Sequence, residues 1–232
     1  MTGASSGIGR AIALDLSAPG AEICLLARRR DALESVAKQV RANGGQGHVF
    51  CVDFACDQDI EDFVKSARAF DHLDVLVLCG GAIFHANTEH ATIEQFDLQY
   101  RSNVRGPYSL VQALLPLLRK QSGQIVFVNS SLATRRASCG NGQFTATQCA
   151  LRAIADSLRD ELQADGIRVL SVYPGRTATP RTAELYKQEG RPYHPELLMQ
   201  PEDVATMVTH ALRMPRTAEV TDISMRSAVK SY

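Results

Sequence analysis

The chain has 232 residues, enough for one full α/β domain and too few for two comfortable ones. Its composition is 45% apolar and 22% charged, an ordinary globular balance that excludes a disordered chain. Lys plus Arg and Asp plus Glu are equal at 25 each, so no global basic field points to nucleic acid or to an anionic membrane.

The predicted elements alternate strand and helix throughout. A glycine-rich string at 2–9 opens into the apolar periodic run Ile12, Leu14, Leu16, a helix. Glu22–Ala27 is a short apolar strand, 31–43 a helix stopped by Gly44-Gly45, and 48–52 the next strand. Helix 57–70 carries Ile60, Phe63, Val64 and Ala67 on one face, and 74–79 is a continuous apolar run, as in a strand buried on both faces. Residues 92–120 read as one long or broken helix with Gly106-Pro107 as the irregularity. Strand 124–129, helix 143–164, strand 167–172, helix 201–213 and strand 219–225 complete the series. The stretch 175–200, rich in Pro, Thr and Arg, is the least regular and reads as a lid over a site. The pattern predicts α/β architecture: a Rossmann-type doubly wound parallel sheet, with 1–232 as a single domain. The longest apolar stretches are too short to span a membrane, and the N-terminus lacks a signal-peptide plan. The six cysteines form no C-x-x-C and no zinc spacing with His, so they read as reduced thiols, no metal site is predicted, and the cytoplasm is the expected location.

Chemistry begins at the glycine-rich string. Gly3 permits a tight turn, Gly7 lets backbone approach a pyrophosphate, and Gly9 lets the helix pack closely. Ser5 and Ile8 lie within the same cradle, and the helix N-terminus presents unpaired N–H groups to an anion. Strand 22–27 runs into Arg28-Arg29-Arg30. No acid stands at that strand end to hold a ribose 2′-hydroxyl, whereas Arg accommodates a 2′-phosphate. NADP(H) is therefore favoured over NAD(H), with Arg28 as the principal contact. Asp53 meets an adenine edge, or equally caps the helix near Asp57.

Thr2 to Gly9, Asp53, Asn103, Ser131 and the segment Tyr173-Pro174-Gly175-x-x-x-Thr179 together resemble the short-chain dehydrogenase/reductase family over essentially the whole chain. The resemblance implies carbonyl–alcohol interconversion by hydride transfer to or from NAD(P), commonly in homodimers or homotetramers. It also implies that Pro174, Gly175 and Thr179 belong to a loop around the nicotinamide end, and that Gly80 leaves room for the cofactor. The family's active site uses Asn, Ser, Tyr and Lys, the last two as Y-x-x-x-K, with the Ser thirteen residues before the Tyr. Counting from Ser131, those two positions are Phe144 and Gln148. Phe has no proton to give, and losing a positioned general acid costs about 10²–10⁴ in rate. Gln148 can still hydrogen-bond ribose hydroxyls, but it is neutral and tunes no pKa. Ser131 is retained to hold a carbonyl oxygen. Asn103 is retained too, but without its Lys partner the expected role is to satisfy backbone at a break in the long helix.

Two further departures stand out. The family's N-N-A-G reads Leu78-Cys79-Gly80-Gly81, so amide side chains that brace the sheet are expected to be missing. Only Met1 precedes the glycine-rich string, so the first strand reads as truncated, with unpaired neighbours, weak stability and weak cofactor binding expected. One hypothesis places the true start upstream, with Met1 arising from a valine start codon. As substitute acids, His85, His194, Cys139, Tyr186 and Tyr193 border the pocket region, though each is more often a packing or surface residue. Arg135 and Arg136 can hold an anionic substrate or simply be solvated. Leu185, Tyr186, Tyr193 and Leu198 suggest a partly apolar pocket. Three functions follow: an NADP(H)-binding oxidoreductase by ancestry with impaired hydride transfer on a small-molecule substrate; a non-catalytic NADP(H) sensor, or partner subunit of an active paralogue in a hetero-oligomer; or a repurposed lyase, isomerase or cyclase.

Overall fold

Each apolar run becomes a strand because its backbone polar groups are satisfied by neighbours while both faces are covered by helices. The computed structural model describes residues 1–135 and 139–229. Strands β1 (Glu22–Ala27) and β2 (Gln46–Cys51) pair in parallel, with Glu22 opposite Gln46 and Ala27 opposite Cys51. Strands β3 (Val75–Leu78), β4 (Gln124–Val128), β5 (Arg168–Pro174) and β6 (Asp222–Met225) form a second parallel set in that order.

Met1 and Thr2 join the two sets. Thr2 bridges Leu26 in parallel and donates its N–H to Val77 O at 2.9 Å, while Leu26 N–H donates to Met1 O at 2.9 Å. The first strand is truncated to two residues, as read from the sequence, but the expectation of unpaired neighbours is corrected, because those two residues satisfy groups on both. The chain reverses its winding at this point, and the glycine-rich string leaves from it.

The helices are α1 (Gly7–Asp15), α2 (Arg30–Ala42), α3 (Asp57–Ala67), α4 (Ile93–Tyr100), α5 (Gly106–Arg119), α6 (Gly142–Leu162), α7 (Pro180–Gln188) and α8 (Pro201–Leu212). Strand periodicity divides the core into two layers. Leu76, Leu78, Ile125 and Phe127 face Ile60, Phe63, Leu110, Leu114, Leu151 and Leu158 on one side of the sheet. Val77, Val126 and Leu170 face Ile12, Val204 and Val208 on the other. This is the doubly wound α/β arrangement that the alternation predicted.

The long helix is broken at the irregularity read from the sequence, as a π-helical turn, Arg101–Arg105, directly before Gly106-Pro107. Pro107 has no N–H to donate back along the helix, and the backbone widens ahead of it. Gly106 is required there because a Cβ would lie 2.3 Å from Phe54 O. The stretch 175–200 is more regular than expected. It contains α7, started by Pro180 and capped by Thr179, whose side chain accepts from Thr182 N. It also contains a 3₁₀ turn at Pro195–Leu197.

Candidate active site

The glycine-rich string folds because each glycine occupies space closed to a side chain. Gly3 has φ +64°, and a Cβ there would come within 2.9 Å of the Cys79 backbone and Gly80 Cα. Gly9 lets α1 begin directly on Gly3, whose carbonyl oxygen would lie 2.3 Å from a Cβ at position 9. Gly7 has φ +53°, and the atom above it is Thr179 Cγ2, 2.9 Å from where its Cβ would sit. The lid therefore lies against the N-terminus of α1. Ser6 makes no side-chain cap and the first turn carries no acid, so the helix end offers its N–H groups outward. Ser5 is half-buried beside it. Ile8 packs its side chain against the α1–α8 core, leaving only its backbone to the cleft.

The strand-end braces expected to be missing are supplied from elsewhere. Thr2 Oγ1 accepts from Cys79 N at 2.9 Å and from Gly80 N at 3.0 Å. Asn103 Oδ1 accepts from Ala82 N at 2.6 Å, and its Nδ2 donates to Ala82 O at 2.8 Å and Thr147 Oγ1 at 3.0 Å. The expectation that Asn103 serves its own broken helix is corrected. Its amide holds the segment after β3 and ties it to α6. A Cβ at Gly80 would lie 3.3 Å from Gly3 N, so the glycines there let the two backbones approach closely. Burial pushes the Cys79 thiol up to about 12, which keeps it protonated.

At the other end of the cleft, Arg28 is exposed beyond β1, and Arg30 pairs loosely with Glu34 at 3.8 Å. Asp53 does not cap α3. Its Oδ1 accepts from Ala55 N at 3.0 Å, and Asp59 Oδ2 accepts from Asp53 N at 2.8 Å, so the carboxylate closes its own turn.

Helix α6 carries Phe144 and Gln148, the two positions counted from Ser131. Phe144 is half-buried, and its carbonyl accepts from Thr147 Oγ1 at 2.7 Å. Gln148 is 5% exposed, its Nε2 lies 3.4 Å from Thr147 Oγ1, and its carbonyl accepts from Asn129 Nδ2 at 3.1 Å. Asn129 also accepts from Ser130 N at 2.7 Å, so one amide fixes the end of β4 against α6. Ser131 opens the 3₁₀ turn Ser131–Ala133 that packs on α6. Among the described residues its hydroxyl makes no hydrogen bond, which leaves it available to a ligand.

The candidate substitute acids are placed as follows. His85 lies against Gly140, with Nδ1 3.3 Å from Asn141 Oδ1, at the entrance to α6. His194 is exposed and 3.2 Å from Glu196. Cys139 Sγ lies 3.1 Å from Asn87 Oδ1. Tyr186 and Tyr193 stack edge to face at 5.6 Å, and Arg176 and Arg191 flank the Tyr186 ring at 4.6 and 5.0 Å. Tyr186 and Leu198 are buried, and Tyr186 belongs to the interior of the lid instead of a pocket wall. Arg135 is exposed, and Arg136 lies outside the described residues. Among the described residues no cluster of His, Cys, Asp or Glu fits a metal ion, and no helix is long and apolar enough to cross a membrane.

The lid adds a residue that sequence reasoning missed. Pro174 ends β5, Gly175 N–H donates to Met225 O at 2.9 Å, and Thr179 turns the chain into α7. Two residues on, Arg181 Nη2 donates to Gly81 O at 2.5 Å, joining the lid to the segment after β3. Desolvation by surrounding protein lowers the pKa of this guanidinium, Cys79 partly offsets it and Arg28 adds to it by repulsion, although the residue is exposed on its outer side. Glu189 braces the lid from behind, accepting from Arg176 at 2.7 and 3.0 Å and from Arg191 at 3.1 Å. Burial opposes ionisation of Glu189, but the two guanidinium partners outweigh it and hold the carboxyl below its ordinary value.

Comparison with known proteins agrees with this geometry. The family model described as short chain dehydrogenase matches residues 1–190. An uncharacterized oxidoreductase of Staphylococcus epidermidis is 32% identical over 227 residues, covering 97% of this chain and 95% of the relative. Glycine betaine reductase of Emericella nidulans is 33% identical over 230 residues, covering 96% of this chain but only 18% of that larger protein. Among solved structures, an alcohol dehydrogenase from the archaeon Thermococcus sibiricus, complexed with 5-hydroxy-NADP, superimposes with TM-score 0.88 at 27% identity, covering 100% of this chain and 97% of the other. L-sorbose reductase from Gluconobacter frateurii, complexed with NADPH and L-sorbose, also gives TM-score 0.88 at 27% identity, covering 98% and 94%.

Proposed function

The chain belongs to the short-chain dehydrogenase family, and we propose that it binds NADP(H) across the cleft between α1 and the lid as an oxidoreductase whose carbonyl–alcohol hydride transfer is strongly reduced. One observation carries the reading. The cleft is built to receive a dinucleotide, yet the helix that should present the proton donor offers Phe144 and a buried Gln148.

The residues present fit the cofactor. The N-terminus of α1 is uncapped and acid-free, so its N–H groups suit a pyrophosphate, and Thr179 packs over Gly7 beside it. Arg28 stands at the end of β1, where a 2′-phosphate would lie, and favours NADP(H) over NAD(H). When bound, the nicotinamide supplies or accepts hydride. Ser131 donates its free hydroxyl to a carbonyl oxygen, orienting it and stabilising growing negative charge. Gln148 can hold ribose hydroxyls without charge, and Thr179 flanks the nicotinamide end. No side chain at position 144 delivers a proton, so product protonation falls to solvent and is slow. Two solved relatives that carry NADP-type cofactors at 27% identity support the cofactor choice.

A second reading is a non-catalytic NADP(H)-binding subunit, a sensor or the partner of an active paralogue. It is favoured because both replacements are neutral and well housed: Gln148 is buried and within reach of Thr147 Oγ1. The first reading and the sensor carry a cytoplasmic homodimer or homotetramer with them, whereas the partner-subunit form implies a hetero-oligomer.

Titration with NADPH and NADH by nucleotide fluorescence, followed by assay against a panel of aldehydes and ketones, tests the proposal. NADPH should bind more tightly, with little turnover. Phe144→Tyr with Gln148→Lys should raise reductase activity by about 10² or more. Ordinary reduction rates in the wild-type chain would refute the impaired reading. Failure of the restored variant to gain activity, with NADPH binding intact, would favour the non-catalytic subunit.

A further inference from the structure

Arg181 projects from the first turn of the lid helix across the dinucleotide cleft, where no part of the proposed chemistry has yet used it. Its Nη2 donates to Gly81 O at 2.5 Å, joining segments 100 residues apart. Two residues earlier, the Thr179 methyl covers Gly7 at the N-terminus of α1. The lid therefore sets a fixed positive charge between the open helix end and the glycine pair beyond β3.

Three observations identify what that charge is for. First, its acceptor is a neutral backbone carbonyl, and no ion pair is formed by Arg181 among the described residues. A guanidinium fork is made for two parallel bonds to a carboxylate or phosphate. Second, Arg28 lies near enough to repel it. Two like charges close enough to feel one another are reconciled by an anionic ligand. Third, Gln148 leaves the α6 wall of the cleft neutral where the family's pattern has a Lys.

Resting on the dinucleotide reading above, we propose that Arg181 is a pyrophosphate-binding residue of this chain, exchanging Gly81 O for a phosphate oxygen when the cofactor enters. Arg28 then reads the 2′-phosphate and Arg181 the diphosphate common to both nucleotides. Affinity and selectivity are thereby divided between two arginines, one after β1 and one in the first turn of α7. The contact also couples cofactor binding to lid position, because Arg181 and Thr179 share one helical turn.

The test uses the whole chain and three probes: NADPH, NADH and 2′-AMP, which carries the 2′-phosphate but no diphosphate. Arg181→Gln should weaken NADPH and NADH equally, each by about 10–100-fold, and leave 2′-AMP binding within about 2-fold. Arg181→Lys should recover part of the loss, and thermal unfolding without nucleotide should show that both variants fold. Arg28→Gln should behave oppositely, weakening NADPH and 2′-AMP but not NADH. Unchanged or tighter NADPH binding in Arg181→Gln would overturn the proposal and make the residue a simple lid latch. A loss confined to NADPH and 2′-AMP would overturn it by assigning Arg181 to the 2′-phosphate. If the wild-type chain bound neither dinucleotide, the functional reading itself would fall and this inference with it.

Discussion

Asn103 Nδ2 donates to Thr147 Oγ1 at 3.0 Å and so ties the π-helical turn to α6. The same hydroxyl donates to Phe144 O, and the same amide holds both backbone groups of Ala82. The end of β3, the π-helical turn and the first turn of α6 thus share one network. Asn103→Ala should cost about 2–3 kcal/mol, because it strands buried donors and acceptors, and Thr147→Val about 1 kcal/mol. Denaturant unfolding of the double variant should show coupling above about 0.5 kcal/mol. Strict additivity would mean that the network is not cooperative.

Gly9→Ala should be among the most damaging small substitutions, because its new Cβ would fall 2.3 Å from Gly3 O. We expect a loss of about 1–3 kcal/mol in stability and of about 10-fold or more in NADPH affinity as the turn shifts. Gly142→Ala is the control, since nothing lies within 4 Å of its Cβ position. If the two variants melt and bind alike, close packing of α1 on the turn is not what that glycine provides.

The Glu189 carboxyl gives a pH signature. Its folded-state pKa is depressed below the ordinary 4.5 by Arg176 and Arg191, despite burial. The group's contribution is therefore fully present above pH 4.5 and is lost as pH falls through the lower folded value. Glu189→Gln should melt about 2–4 °C below wild type near neutrality, and the gap should close in acid. A gap that stays constant with pH would show that the loss is one of shape and not of charge.

Thiol reactivity should separate the cysteines. Cys79 is held at about 12 by burial, and burial also raises Cys24. Cys51, Cys139 and Cys149 are exposed. Iodoacetamide near pH 8 should modify those three in the native protein and reach Cys79 only on unfolding. Rapid native labelling of Cys79, located by peptide mass, would contradict the packing of the β3 end.

The sequence carried the strands well where local pattern decides them. Glu22–Ala27 forms β1 residue for residue because an apolar run ends at three arginines that cannot be buried. The glycine-rich turn was also legible, since its φ values and close contacts demand Gly whatever surrounds them. Other features depend on partners distant in the chain and were not. Thr2 read as part of a loop, yet its hydroxyl braces β3, 77 and 78 residues away. Arg181 read as one charge in an irregular stretch, because nothing near it in sequence shows that it faces Gly81. Helix α7 was obscured by Thr and Pro, residues that disfavour helix interiors but suit its first turn. Asp53 read equally as an adenine contact or a helix cap, and the cap gives way because a closer backbone donor, Ala55 N, takes its carboxylate.

The Tyr186 ring lies between Arg176 and Arg191, and Glu189 binds both guanidinium groups. This cluster gives the lid a miniature core of its own, assembled before any ligand arrives. A nucleotide that reseats the lid would move a preorganised body about its ends and would not have to order a loose chain. Little conformational entropy is then lost on closure, so more of each new contact survives as affinity.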